Sequence, residues 1–148
     1  MRRAFLRSLA LFAAVLVAGC ATGMKHEQMA SSMPAIKSGE GRVYFLRSSS
    51  MVGAALQPEI RLDQQVVGQS KPGGFFYVDR PAGNHVASAT TEAEKTVSFT
   101  LDPGETKYIR SSVGFGLLVG RVILEPETPQ KAQEELKSLS YTGTVAAR

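Results

Sequence analysis

The sequence predicts an all-β domain, an antiparallel β-sandwich of about seven to eight strands with a short C-terminal helix. Three observations carry this. Between residues 41 and 126, short β-branched and aromatic runs recur, with turns rich in proline and glycine separating them. Val97, Phe99 and Leu101 share one face and Thr96, Ser98 and Thr100 the other, the clearest in/out alternation in the chain. Helical periodicity arises only after residue 127.

Ahead of that domain the chain opens Met1-Arg2-Arg3, adds Arg7, and runs uncharged from Ser8 to Gly19 into Leu16-Val17-Ala18-Gly19-Cys20, which holds its single cysteine. A basic start, an apolar run and small residues before a cysteine form a lipoprotein signal sequence over residues 1–19. Cleavage between Gly19 and Cys20 leaves a mature chain whose first residue, Cys20, carries diacylglycerol. The run is too short for a spanning helix, which needs roughly 20 predominantly apolar residues. Each buried methylene contributes about 0.8 kcal/mol, so several fatty chains anchor permanently. Ala21, rather than the Asp that marks inner-membrane retention, points to the periplasmic side of the outer membrane. Arg2-Arg3-Ala4-Phe5-Leu6-Arg7 resembles a twin-arginine export motif, but without a cofactor site to fold around, ordinary unfolded export is favoured.

Residues 20–40 read as the lipidated cysteine and a flexible tether, poor in large apolar side chains and interrupted by Pro34. Such a tether reaches at most ~65 Å when extended. Met24, His26, Met29 and Met33 could ligate Cu(I), a metal-handling reading weighed against a linker that happens to be methionine-rich.

The sandwich is placed at residues 41–126. Arg42-Val43-Tyr44-Phe45-Leu46-Arg47 is apolar on both faces and fits a central strand. Ser48–Leu56 reads as a loop; Ile60 and Leu62 alternate with Arg61 and Asp63, and a turn at Asp63-Gln64-Gln65 leads into Val66–Gln69 as a hairpin. Lys71-Pro72-Gly73-Gly74 and Asp102-Pro103-Gly104-Glu105 carry type II turn chemistry, and Arg80-Pro81-Ala82-Gly83 suits type I. Strands follow through Phe75–Arg80, Thr96–Leu101, Lys107–Arg110 and Leu118–Leu124. The last segment, 127–148, is an amphipathic helix and disordered tail: Thr128 caps, Pro129 starts, and Ala132, Leu136 and Leu139 line one face.

The chain's charge of +4 belongs mostly to the leader; without Arg2, Arg3 and Arg7 it holds 14 basic and 13 acidic side chains. No basic stripe remains for nucleic acid. The candidate hydrolase centre is His85 with Ser111 or Ser112 and Asp79 or Asp102, while Glu92 and Glu94 read as a solvated pair. Gly114-Phe115-Gly116-Leu117-Leu118-Val119-Gly120 fails as a dinucleotide fingerprint, because its third glycine comes one place late and a strand follows. Leu117, Val119 and Ile123 oppose Leu118, Val122 and Leu124, so both faces need cover, from the Met51–Leu56 loop or a partner protein.

Gly41–Arg47, Ile60-Arg61-Leu62-Asp63, Val67-Gly68, Gly73-Gly74-Phe75-Phe76, the Arg80–His85 turn and Lys107-Tyr108 together resemble a bacterial family of unknown function. That family is frequent in small proteobacterial lipoproteins and close to PEGA-type repeats. Ala82 interrupts the Pro-Gly pair of the PEGA pattern. The resemblance implies a prealbumin- or immunoglobulin-like sandwich with no known catalysis and no active site to transfer. The expectation is a lipid-anchored binding or scaffolding module, not an enzyme, without metal or cofactor. It would engage an envelope protein or polysaccharide through Phe115, Leu117, Met51 and Leu56, and no nucleic acid.

Overall fold

The computed structural model describes residues 21–117 and 120–143. The proposed leader with Gly19 and Cys20, the strand positions Leu118 and Val119, and the end of the tail lie outside the described residues. Among the described residues nine strands form two sheets: β1 (Glu40–Arg47), β2 (Glu59–Leu62), β3 (Gln65–Gln69), β4 (Gly74–Pro81), β5 (Gly83–Thr90), β6 (Glu94–Leu101), β7 (Thr106–Gly114), β8 (Arg121–Pro126) and β9 (Ser140–Tyr141). The five-stranded sheet runs β8-β7-β1-β4-β9 and the four-stranded sheet β3-β2-β5-β6. The β-sandwich is as expected. Its extra strand is the two-residue β9, too short to leave a periodic signal.

Most pairings are antiparallel, but β1 pairs parallel with β7, and β4 with β9. Alternation cannot reveal this, because a strand's period of two is the same in either orientation.

The main core lies between the sheets. Val43 and Phe45 of β1 meet Ile60 and Leu62 of β2, Ala87 and Ala89 of β5, and Ile109 of β7. The opposite face of the larger sheet is also dry. There Tyr44, Leu46, Phe75 and Tyr108 pack beneath Met29, Ala132, Leu136 and Leu139. This explains why β1 is apolar on both faces: Val43 to Arg47 are all buried. The helices α1 (His26–Ala30) and α2 (Pro129–Leu136) flank these contacts. Thr128 takes the extended N-cap backbone expected of it, but its side chain makes no capping bond.

The segment expected to be a tether is the main correction. Met29 is buried, His26 packs edge-on to Tyr44 and Phe75, and Lys25 bridges to Ser140. Arg42 locks it further along, donating through Nη2 to the Pro34 carbonyl at 2.8 Å. A segment poor in large apolar residues still docks because a sheet face of four aromatic side chains awaits cover.

The turns follow their residue chemistry. Gly73 and Gly104 take φ of 68° and 75°, as position three of a type II turn demands. Asp63 and Gln64 both have positive φ, giving a two-residue hairpin turn with the twist that joins β2 to β3.

Candidate functional site

Strand directions sort the loops to two ends. One end gathers the Ser48–Pro58 connection, the Lys71–Gly73 turn, residues 91–93 and the β7–β8 connection. The other holds the Asp63-Gln64, Pro81–Gly83 and Asp102–Glu105 turns.

The first end carries the apolar exposure. Phe115 is 101% exposed, Leu117 88%, Met51 86% and Val52 69%, the four most exposed large apolar side chains among the described residues. Val66 and Val86, about half-exposed, point outward from the four-stranded sheet instead. Phe115 and Val52 border a groove of 280 Å³ floored by Gly53, Val113 and Gly114. Leu56, expected among the contact residues, is only half-buried and turns inward, where its Cδ1 would lie 3.2 Å from a Cβ on Gly120. The expected packing of the Met51–Leu56 loop is thus made by Leu56 against Gly120 of the β7–β8 connection and by Gly53 against Val113 near the end of β7.

Two arginines missed as functional groups shape this end and the outer face. Arg47, on the core side of β1, is 3% exposed, and no carboxylate among the described residues is bonded to it. It donates to backbone carbonyls instead: Nη1 to Leu56 and to Ser70, and Nη2 to Gly53. Burial pushes its pKa below the ordinary arginine value, but an arginine stays charged. Arg42, on the other face, grips Asp79 through Nε and Nη2 at 2.7 and 2.9 Å and lies 4.4 Å over the Tyr77 ring. The hydrogen bond it donates to Asp79 raises its pKa. The sequence signal for the two was an arginine at each end of the apolar run Val43–Leu46.

Glu92 belongs to the same end. Its carboxylate, read as solvated, accepts Leu117 N–H at 2.9 Å and Gly120 N–H at 3.3 Å and lies beside Arg121. It therefore fixes the loop that presents Phe115 and Leu117.

The proposed hydrolase residues are not brought together. His85 sits on β5 of the smaller sheet and Ser111 and Ser112 on β7 of the larger. His85 Nδ1 lies 2.7 Å from Asp63 Oδ2, and its Nε2 lies 2.8 Å from the Pro81 carbonyl, so both ring nitrogens are occupied. Asp79 serves Arg42, and Ser111 Oγ lies 2.7 Å from Ser70 Oγ in a buried pair. Asp63 was the missed partner. Its burial acts to raise its pKa, but the Val86 N–H, the His85 ring and Arg80 outweigh this and hold it below the ordinary carboxylate value. This cluster ties the β2–β3 turn to β5.

The candidate copper ligands are likewise committed to packing. The Met33 sulfur accepts a hydrogen bond from the Tyr44 hydroxyl at 3.1 Å, and Met29 is in the core. Burial lowers the pKa of His26, although Glu27 acts to raise it. Only Met24 of this set is exposed to any large extent.

The family described as "Protein of unknown function (DUF2846)" matches residues 37–121, from just ahead of β1 to the first residue of β8. An uncharacterized protein of Haemophilus influenzae is 26% identical over 145 residues, covering 95% of this chain and 86% of that protein. No solved structure matches. The expected likeness to a bacterial family of unknown function is borne out.

Proposed function

This chain belongs to the DUF2846 family, which brings no activity with it, and we propose that it works as a lipid-anchored, non-catalytic binding module of the cell envelope. The observation that carries this reading is the contrast between its two kinds of candidate group. The polar residues that could do chemistry are spent on internal bonds, His85 on Asp63 and Pro81, Ser111 on Ser70, and Asp79 on Arg42. Phe115, Leu117, Met51 and Val52 are left exposed on loops bonded by Glu92 and Arg47. Apolar side chains grouped at one end mark a contact surface.

The leader pattern ending in Leu16-Val17-Ala18-Gly19-Cys20 supports acylation at Cys20, and Ala21 after it supports the periplasmic side of the outer membrane. The experiment is mass spectrometry of protein from its native membrane, together with fractionation of Cys20→Ser. Acylation of Cys20 and loss of membrane association in the variant are expected. A free thiol, or residues 1–19 still attached, would remove the anchor from this reading.

A further inference from the structure

The contact surface and Ala21, the residue that follows the proposed acylation site, sit at the same end of the molecule. Ala21 N–H donates to the Pro72 carbonyl at 3.2 Å, in the turn that leads into β4. Residues 25–34 then run along the outer face of the larger sheet, held by Met29, Lys25 and Arg42. The domain is therefore not on a long leash. Ala21, the next residue in the chain after Cys20, is itself a fixed point.

From that point the exposed apolar tip is close. Gly74 opposes Arg47 on β1, and β1 lies next to β7, two strand spacings or about 10 Å across the sheet. β7 runs on to Gly114, three residues past the level of Arg47, so Phe115, one residue further, lies up to about 13 Å beyond the end of β1. A lipid on Cys20 enters the bilayer beside this tip, and interfacial apolar elements sink about 5–10 Å into the headgroup region. Lys71, in the same turn as Pro72, brings a cation to the level of anionic headgroups.

We propose that Phe115, Leu117, Met51 and Val52 seat the domain on the bilayer that holds acylated Cys20, fixing the sandwich upright with the Asp102–Glu105 end facing away. This rests on the acylation proposed above. A standing tether would have left the loops free to search for soluble partners; a docked one presses them onto lipid.

The test uses full-length protein, processed and acylated in the cell, carrying Phe115→Cys or Asp102→Cys. Acylation blocks Cys20, so each variant has one free thiol for an environment-sensitive fluorophore. The labelled proteins are reconstituted in vesicles of phosphatidylethanolamine and phosphatidylglycerol containing doxyl lipid. The label at position 115 should shift to the blue and lose most of its emission to the doxyl groups, while the label at 102 stays aqueous. With Cys20 shown to be acylated by mass, an aqueous label at 115 overturns the seating and leaves the anchor standing. Equal quenching at both positions also overturns it, since the domain would then lie on its side. A label at 115 that is dry in native membranes and aqueous in the vesicles assigns the surface to a protein partner and overturns a lipid seat. An unmodified Cys20 removes the anchor and the seating together.

Discussion

Replacing Arg47 with alanine should unfasten the loop that carries Met51 and Val52. The guanidinium is 3% exposed and donates to three backbone carbonyls, Leu56 at 2.5 Å, Ser70 at 2.9 Å and Gly53 at 2.8 Å. Without it, the buried Ser70 carbonyl loses a charged donor at a cost of about 1–3 kcal/mol. Gly53 and Leu56 sit nearer solvent, so water offsets much of their loss. The cavity left by the aliphatic stem adds about 1 kcal/mol. Relief of the guanidinium's own desolvation returns part of this, leaving a net loss of about 2 kcal/mol. For a domain of this size that lowers the melting temperature by roughly 7 °C. Urea denaturation measures the loss, and amide exchange over residues 51–57 should accelerate selectively. Arg47→Lys should recover only part, because one ammonium cannot reach all three carbonyls. A loss under about 1 kcal/mol, or exchange unchanged in the loop, would refute the assignment of Arg47 as its clasp.

Met29→Ala should cost about 2–3 kcal/mol in chemical denaturation, since Met29 is buried under the outer face of the larger sheet; a free tether would show no change. Gly53→Ala should destabilise by about 1–3 kcal/mol, because φ is 68° and the new Cβ would lie 2.6 Å from the Val113 side chain; thermal melting reads it. Stability should also fall as pH drops below about 4. Asp63, Glu105 and Glu127 all have pKa values held below the ordinary carboxylate value. For Asp63, burial opposes the shift but is outweighed by Val86 and His85; for Glu105 the bond from Lys107 leads; for Glu127 the Thr128 N–H leads. A depressed folded pKa gives stability that is present above the unfolded value and lost as pH falls through the folded one. Urea midpoints at pH 6 and pH 3 check this, and Asp63→Asn should reduce the difference.

Most strands between Gly41 and Pro126 were written locally, in β-branched runs and in turns whose proline and glycine positions permit only a few backbone shapes; β5, with Val86 and Thr90 its only β-branched residues, left no such run. The helix from Pro129 was equally local, with Pro at its start and Ala132 and Leu136 one turn apart on the buried face. The β7–β8 contact loop was legible as an apolar stretch beside glycines. What it touches was not. His85 was visible as the domain's lone imidazole, but its partner Asp63 lies 22 positions away and is brought near only by pairing of β2 with β5.

The amino-acid order by itself determined a sandwich of short strands and the signature at Cys20, because turn chemistry, alternation and a cleavage box act over a few neighbouring residues. Tertiary structure decided the parallel pairing of β1 with β7, the docking of residues 25–34, and the use of Arg47 as a clasp. Each of these depends on what a distant segment leaves uncovered or unbonded. Whether a run of Met, Ser and Lys hangs free or lies down is settled by a face of Tyr44, Phe75, Tyr77 and Tyr108 elsewhere in the chain, and no local pattern records that face.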